Sequence, residues 1–209
     1  SFHSGSVFDG NGHTIYGSKY LLFGSNFGTI RNLNVSIHDT PDDAQHLLED
    51  APTRDSDTIV GICWENKGTI EKCNVRMTLD KTSDRKAQIG GVCVRNSGTI
   101  RDCIALFDVD LTTSGTMAFG GICAESYGYD NDVEAEKTID HCLVLGRVAL
   151  SFNDGADTST VAGLTHLRNF DALSIVDSAC ALETLSAKNA QGRFALDAGF
   201  TKFMTTKAP

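Results

Sequence analysis

Residues 90–103 read Gly-Gly-Val-Cys-Val-Arg-Asn-Ser-Gly-Thr-Ile-Arg-Asp-Cys, and versions of this segment recur along the 209-residue chain. The tripeptide Gly-Thr-Ile, or a weaker version of it, ends at Ile30, Ile70, Ile100, Ile139 and Ile175. A fixed period of about 20 to 50 residues is typical of a solenoid, in which each repeat packs only on its neighbours. The recurrence therefore predicts a repeat architecture.

Two sets of cysteines define the period. Cys63, Cys93 and Cys123 lie 30 residues apart, and so do Cys73 and Cys103. Three intervals between successive equivalent isoleucines are longer, at 40, 39 and 36 residues. Each is explained as one repeat plus an insertion. The two main insertions are residues 38–58 and 127–137, and we expect both to protrude as loops.

Each repeat contains a run of alternating apolar and polar residues. In residues 73–80, Cys, Val, Met and Leu alternate with Asn, Arg, Thr and Asp, and similar runs begin at Leu33 and Cys103. A period of two is that of a β-strand with one buried face. Short strands joined by Gly and Asn turns fit one rung of a parallel β-helix, whose rungs stack about 4.8 Å apart. The sequence predicts a single all-β domain, a parallel β-helix of about five to six rungs with about 30 residues per rung.

The two positions after each isoleucine support this register. Like charges directly opposite each other on neighbouring strands repel, so an in-register stack should alternate in charge. The first position reads Arg31, Glu71, Arg101 and Asp140. The second position reads Asn32, Lys72, Asp102, His141 and Asp177. The sign changes from rung to rung, and we expect both columns to face outward.

Six of the seven cysteines occupy two columns of the predicted stack. Apolar or small residues replace them in other rungs, so we interpret them as buried free thiols, with inter-rung disulfides as the alternative. The column of Cys73 should face inward. The direction of the Cys63 column stays open, because the neighbouring Ile62 column competes for the same core. No Cys-x-x-Cys and no histidine partner is present, so no metal site is predicted.

Another column contains Asn26, Asn66 and Asn96, with Ser126 in the next rung. Asparagine tolerates left-handed backbone, and its amide can bond the amides above and below it. We therefore expect a ladder of side-chain amides at a tight turn.

Composition excludes several classes of function. The net charge is −9 and basic residues do not cluster, so a nucleic-acid partner is not expected. No apolar run reaches about 18 residues, so membrane insertion is not expected. The repeat pattern predicts a β-helix domain over residues 1–185 and a C-terminal cap or tail over residues 186–209. We expect a monomeric fragment of a longer precursor.

Residues 8–15 read Phe-Asp-Gly-Asn-Gly-His-Thr-Ile, and Gly-x-Asn-x-Gly-Thr-Ile repeats follow them. This combination resembles the GLUG-type repeat proteins of bacterial cell surfaces, with a close match over residues 91–102. The resemblance covers residues 7 to about 182. It implies a right-handed parallel β-helix in a secreted or wall-attached protein, including stalk regions of large surface proteins. The opening phrase also occurs in pectate-lyase-like helices, which keeps an enzymatic alternative open.

The second insertion supplies the candidate ligand-binding residues. They are Tyr127, Tyr129, Asp130, Asp132 and Glu134. Two tyrosines beside carboxylates can meet a sugar by stacking and hydrogen bonding. Calcium is the weaker alternative, because Ala135 stands where a calcium loop needs glycine.

Known catalytic motifs are absent from the sequence. His13 lies close to Asp9, but Gly10 and Gly12 supply turn geometry, so no catalytic residue is predicted. We expect a non-catalytic secreted or cell-surface module for adhesion, as a stalk, or for binding a glycan or a host or surface protein, with no cofactor. The alternative is a polysaccharide lyase or glycoside hydrolase of the β-helix type. It would need a groove along one sheet with converging carboxylates, a basic residue and aromatic residues.

Overall fold

The computed structural model describes residues 2–17, 22–39, 56–126, 137–153, 159–167 and 173–189. These residues contain strands and turns only, so no helix among them could span a membrane. The strands are β1 (Val7–Asp9), β2 (Thr14–Tyr16), β3 (Phe23–Asn26), β4 (Thr29–Arg31), β5 (Asn34–Asp39), β6 (Ser56–Val60), β7 (Cys63–Asn66), β8 (Thr69–Glu71), β9 (Asn74–Ser83), β10 (Lys86–Gly90), β11 (Cys93–Asn96), β12 (Thr99–Arg101), β13 (Ile104–Thr113), β14 (Met117–Gly120), β15 (Cys123–Ser126), β16 (Lys137–Asp140), β17 (Leu143–Phe152), β18 (Thr160–Ala162), β19 (Thr165–Leu167), β20 (Leu173–Val176) and β21 (Ala179–Asn189).

The strands form four parallel sheets. Sheet I contains β1, β4, β8, β12, β16 and β20, and sheet II contains β2, β5, β9, β13, β17 and β21. Sheet III contains β6, β10, β14 and β18, and sheet IV contains β3, β7, β11, β15 and β19. Each complete rung passes through sheets III, IV, I and II in that order, as in β6 to β9. The predicted parallel β-helix is confirmed, with six rungs of which the first two are shorter in the described residues.

The isoleucine column forms the centre of the core. Ile30, Ile70, Ile100, Ile139 and Ile175 are paired in register on successive strands of sheet I. The first four have no exposed surface, and Phe8 stands above Ile30. Burying one such side chain stabilises the fold by about 1.5–3 kcal/mol. The predicted register is confirmed.

The first charge column follows the same register on the outside of sheet I. Arg31, Glu71, Arg101 and Asp140 are paired in sequence, and Asp9 extends the column by one rung. The Nε atoms of Arg31 and Arg101 each lie 2.8 Å from a carboxylate oxygen, of Asp9 and Glu71 respectively. The exposed Arg31–Asp9 pair contributes about 0–1 kcal/mol. Glu71 is buried, so its pair with Arg101 is only partly exposed. The main value of the column is as evidence for the register.

The second charge column has a conformational role that the sequence analysis missed. Its members adopt left-handed backbone, with φ of 52° at Asn32, 54° at Lys72, 54° at Asp102, 49° at His141 and 42° at Asp177. One left-handed residue per rung turns the chain from sheet I into sheet II.

In four of these five turns the next residue closes the turn with a side-chain donor; Leu33, after Asn32, is the exception. The Sγ atoms of Cys73 and Cys103 donate to the carbonyl oxygens of Glu71 and Arg101 at 3.2 Å, and Cys142 does the same to Asp140 at 3.3 Å. In the last rung the Ser178 hydroxyl takes this role, at 2.8 Å from the Val176 oxygen. This explains why a small hydrogen-bond donor recurs in the Cys73 column, which faces inward as predicted.

The direction of the Cys63 column is settled by an irregularity between sheets III and IV. The backbone N–H groups of Ile62 and Cys63 both donate to the Val92 carbonyl, at 2.9 and 3.4 Å. Both side chains therefore enter the core, and both have zero exposure. All seven cysteines are buried and free, so the predicted free thiols are confirmed.

The asparagine column is in register as predicted, with Asn26, Asn66, Asn96 and Ser126 on sheet IV. Positive φ, which asparagine tolerates, occurs in the Asn32 column instead. The asparagines end strands, and their amides form the predicted ladder inside the turn from sheet IV to sheet I.

Glycines recur in another column because rungs approach each other closely there. A Cβ atom on Gly91 would lie 2.0 Å from the carbonyl oxygen of Gly121, and one on Gly121 would lie 2.1 Å from that of Gly163. Real Cβ atoms do not come this close to backbone oxygens. The column is thus restricted to glycine by packing.

The last described strand, β21, continues to Asn189. It extends four residues past the boundary that the sequence analysis placed at residue 185. The remainder of the predicted cap or tail, residues 190–209, lies outside the described residues.

Candidate functional site

The ligand-binding residues predicted from the sequence lie outside the described residues, and their role stays a prediction. They are Tyr127, Tyr129, Asp130, Asp132 and Glu134. Their loop connects β15 of sheet IV to β16 of sheet I, whereas the first insertion connects β5 of sheet II to β6 of sheet III. The two insertions are therefore attached at different corners of the helix and in different rungs. These attachments do not favour a single cleft flanked by both loops.

Asp9, the potential partner of His13, has a structural role. Its carboxylate accepts hydrogen bonds from Asn32 Nδ2 at 3.0 Å, Asn11 N at 2.9 Å and Arg31 Nε at 2.8 Å. These bonds, chiefly that from Asn32, lower the pKa of Asp9 to about 2. The carboxylate fixes the turn of the first rung, and His13 stands exposed on that turn.

A shallow groove of about 360 Å³ lies on the outer face of sheet II. Its polar lining residues are Thr78, Asp80, Asp108, Asp110, Arg147 and Thr184. They come from four successive strands, β9, β13, β17 and β21. Because side chains alternate along a strand, Leu79, Val109 and Val148 enter the core while these polar residues face solvent.

A β-bulge adjoins the groove. Gly146 in β17 has a φ of +98°, and the register shifts after it so that Glu183 is the extra residue on β21. A Cβ atom on Gly146 would lie 1.9 Å from the carbonyl oxygen of Phe107. Bulges bend a strand and increase its twist, and they are frequent next to functional sites.

The groove is acidic. Arg147 Nε donates to Asp108 Oδ1 at 2.6 Å, and the carboxylates of Asp108, Asp110 and Glu183 raise the pKa of Arg147 above its ordinary value. Among the lining residues, the three carboxylates of Asp80, Asp108 and Asp110 and one guanidinium give a formal charge of −2. Asp80 and Asp110 are in-register neighbours on β9 and β13.

An aliphatic block adjoins this acidic groove on the same face. Ile104 and Leu106 face outward with 40% and 37% of their surface exposed. Leu143 and Leu145, their in-register neighbours on β17, are half-buried. These four residues are called the aliphatic block below.

The aliphatic block was not predicted, although the sequence carries a signal for it. In residues 103–111 the inward positions are apolar as expected, but Ile104 and Leu106 interrupt the polar outward positions. The interruption recurs one rung later at Leu143 and Leu145. A single apolar interruption is common on surfaces, whereas a recurring one produces a contiguous patch.

The only tryptophan of the chain lies on sheet IV beside a third charge column. Glu65, Arg95 and Glu125 are in register there, and the spacing of 30 residues was visible in the sequence. The guanidinium of Arg95 lies 5.7 Å from the ring centroid of Trp64, in a cation–π arrangement. Trp64 also packs on a small apolar cluster with Val94, so its ring serves packing.

In comparisons with known protein families, curated proteins and solved structures, no match to this chain was found. Among the described residues, no three His, Cys, Asp or Glu side chains are grouped as metal ligands. The outer face of sheet II, with its acidic groove and aliphatic block, is therefore the candidate functional site.

Proposed function

We propose that this chain is a non-catalytic β-helix module of a secreted or cell-surface protein, and that it binds a macromolecular ligand through the outer face of sheet II. The observation that carries the proposal is the aliphatic block, which occupies outward positions next to an acidic groove. Outward aliphatic side chains contribute little to the core. A contiguous group of them, rimmed by charges, is typical of an interaction surface.

The scaffold suits such a role. Strands β9, β13 and β17 are paired over ten residues each, so the outer face of sheet II is held by continuous backbone ladders. Binding groups on paired strands keep their geometry better than groups on loops. The resemblance to GLUG-type repeats supports a stalk or adhesive role in a secreted or wall-attached protein.

The buried thiols are compatible with an oxidising exterior. Burial raises the pKa of Cys93 well above its ordinary value, and burial also raises the pKa of Cys180. Because the thiolate is the reactive form, these two thiols resist oxidation and exchange. Hydrogen bonding lowers the pKa of Cys73 and of Cys123, so for those two thiols burial alone limits reaction.

Glycoside cleavage is the second candidate function, and one observation favours it. Asp80 and Asp110 lie directly opposite each other on neighbouring strands, about 4.8 Å apart along the stack. Retaining glycosidases hold two carboxyl groups about 5–5.5 Å apart. However, both aspartates are exposed, and a general acid normally needs burial to raise its pKa. The lining of the groove also contains no aromatic residue for a sugar ring.

One experiment separates the two functions. The chain is incubated with a panel of soluble polysaccharides, and new reducing ends and unsaturated products are measured. The same panel, immobilised together with extracellular matrix proteins, is tested for binding. We expect binding without turnover, and weaker binding when Leu106→Ser and Leu145→Ser are introduced together.

Val7→Ser is the matched control, because Val7 is 56% exposed in the first rung and outside this face. Turnover that disappears in Asp110→Asn would replace the binding function with the enzymatic one. Binding that is equally weakened by the Val7 control would remove the assignment to sheet II.

A further inference from the structure

We propose that the ligand of this face is a polypeptide segment with two aliphatic residues followed, at alternate positions, by two basic residues. The proposal rests on the binding function above and names the chemistry of the partner. The outward residues of strand β13 carry it. Read along the strand they are Ile104, Leu106, Asp108 and Asp110.

The order of these side chains defines a pattern. Alternate residues of a strand lie about 6.8 Å apart, so β13 presents two aliphatic groups and then two carboxylates at that spacing. An extended segment lying along β13 has the same spacing between its own alternate side chains. It therefore matches the face if two aliphatic residues stand opposite Ile104 and Leu106, and two basic residues stand opposite Asp108 and Asp110.

The neighbouring strands also shape the match. Arg76 of β9 stands beside Leu106. Arg147 of β17 is already paired with Asp108, so the stronger cation site is at Asp110. Leu143 and Leu145 of β17 widen the aliphatic half. On the other half, Asp80 of β9 stands beside Asp110, so a basic side chain reaching Asp110 also meets a second carboxylate. Two carboxylates opposite one cation favour binding more than a single exposed pair does.

The same features disfavour other partners. A nucleic acid would be repelled by a groove of formal charge −2. A second copy of this chain, with a net charge of −9, would bring its own acidic groove against this one. A glycan lacks the positive charge that these carboxylates would bind. The groove also lacks an aromatic ring on which a sugar could stack.

The test uses synthetic peptides with one composition and two orders. The matching peptide is Leu-Ser-Leu-Ser-Lys-Ser-Lys with Gly-Ser flanks, and the scrambled peptide is Lys-Ser-Leu-Ser-Lys-Ser-Leu with the same flanks. Binding of each fluorescently labelled peptide to the full chain is measured by fluorescence anisotropy. We expect the matching peptide to bind about three- to tenfold more tightly than the scrambled one.

Variants locate the contact. Asp80→Asn and Asp110→Asn, introduced singly, should each weaken binding of the matching peptide about two- to fivefold. Asp84→Asn is the charge-matched control, because Asp84 is 94% exposed in the turn between β9 and β10. Leu106→Ser should also weaken binding of the matching peptide, and Val7→Ser is its control. Thermal unfolding of each variant verifies that these surface changes leave the fold intact.

Each outcome decides the proposal. Tighter binding of the matching peptide, lost in the sheet II variants and kept in the controls, supports it. Equal binding of both peptides, no peptide binding, or equal effects of Asp84→Asn and Asp110→Asn would overturn it. If a polysaccharide binds instead and Leu106→Ser with Leu145→Ser weakens it, the polypeptide proposal fails while the binding function stands. Turnover of a polysaccharide that is lost in Asp110→Asn would overturn both.

Discussion

The Nδ2 atom of Asn66 donates a hydrogen bond to the Oδ1 atom of Asn96 at 2.8 Å, across one rung of the helix. The Nδ2 atom of Asn26 donates to Asn66 Oδ1 at the same distance. All three amides have no exposed surface. Asn66 Nδ2 also lies 3.2 Å from the Thr99 carbonyl oxygen, so one side chain joins three neighbouring groups. Buried amides of this kind are costly to leave without partners.

Replacing Asn66 by alanine should therefore destabilise the helix strongly. The change removes three buried hydrogen bonds, those to Asn26, Asn96 and Thr99, and leaves a cavity between the rungs. Asn26 Nδ2 keeps the Thr69 carbonyl and Asn96 Oδ1 keeps the Gly98 N–H. Each lost bond therefore costs about 0.5–1.5 kcal/mol, and the cavity adds to this. We expect the free energy of unfolding in urea to fall by about 2–5 kcal/mol. Asn74→Ala is the control, because Asn74 donates to Asn34 at the same 2.8 Å on the exposed face of sheet II. That variant should lose no more than about 0.5 kcal/mol, and equal losses would contradict the role of burial.

The glycine column gives a second prediction. Gly91→Ala places a Cβ atom 2.0 Å from the Gly121 carbonyl oxygen, so two rungs must separate. Overpacking against backbone should lower the free energy of unfolding by about 3 kcal/mol or more. Gly24→Ala is the matched control, since a Cβ atom there meets nothing within 4 Å. If Gly24→Ala lowers the free energy of unfolding as much as Gly91→Ala does, backbone flexibility and not rung spacing would explain the glycines.

The register of the helix was predictable because stacking places like residues on like. The isoleucine and asparagine columns and the inward Cys73 column follow from the repeat alone. The left-handed turn at Lys72 was missed because its column also fits an alternating charged surface, although four of the five residues are Asn, Asp or His, the types enriched in left-handed backbone. The role of Gly91 was missed for a related reason, since a turn glycine and a close-approach glycine look alike in sequence.

The candidate site was less predictable than the fold. A repeat determines which residues face inward, but outward positions are free to vary, and there the functional signal is an exception to the pattern. Ile104 and Leu106 are such exceptions. The candidate residues predicted from the sequence belong to the acidic insertion containing Tyr127 and Tyr129, which lies outside the described residues. The structure adds an alternative site on sheet II. Its residues come from different strands, and only the sheet register shows which of them are neighbours.

The left-handed column predicts that Lys72→Asn stabilises the protein. Lys72 has a φ of 54°, a region that costs an ordinary L-residue roughly 1–2 kcal/mol and asparagine less. The free energy of unfolding should rise by about 0.5–1 kcal/mol. Lys72→Ala removes the same charge but keeps the unfavourable φ, so it should give no comparable gain. An equal gain in both variants would assign the effect to the lost charge instead.

The buried thiols predict slow modification of the native protein. Burial raises the pKa of Cys93, so little of the reactive thiolate forms. This residue also has no exposed surface, so a reagent cannot reach its sulfur atom. A colorimetric disulfide reagent such as Ellman's reagent should report almost no reaction with native protein and seven thiols in denaturant. Cys180, with 7% exposure in the last rung, should react first as denaturant is added. Rapid native modification of Cys93 would contradict the packing of the Cys63 column.

The first rung should loosen at acidic pH because of Asp9. Hydrogen bonds from Asn32, Asn11 and Arg31 lower the pKa of Asp9 from 3.8 to about 2. A carboxyl with a lowered folded-state pKa adds stability above its unfolded-state pKa, and this contribution is lost as the pH falls through the folded-state value. The loss is therefore expected between about pH 4 and pH 2. Urea unfolding of the wild type and of Asp9→Asn should differ clearly at pH 5 and converge near pH 2, whereas Asp84→Asn should follow the wild type throughout. A constant difference between wild type and Asp9→Asn across this range would mean that the Asp9 contacts do not depend on its charge.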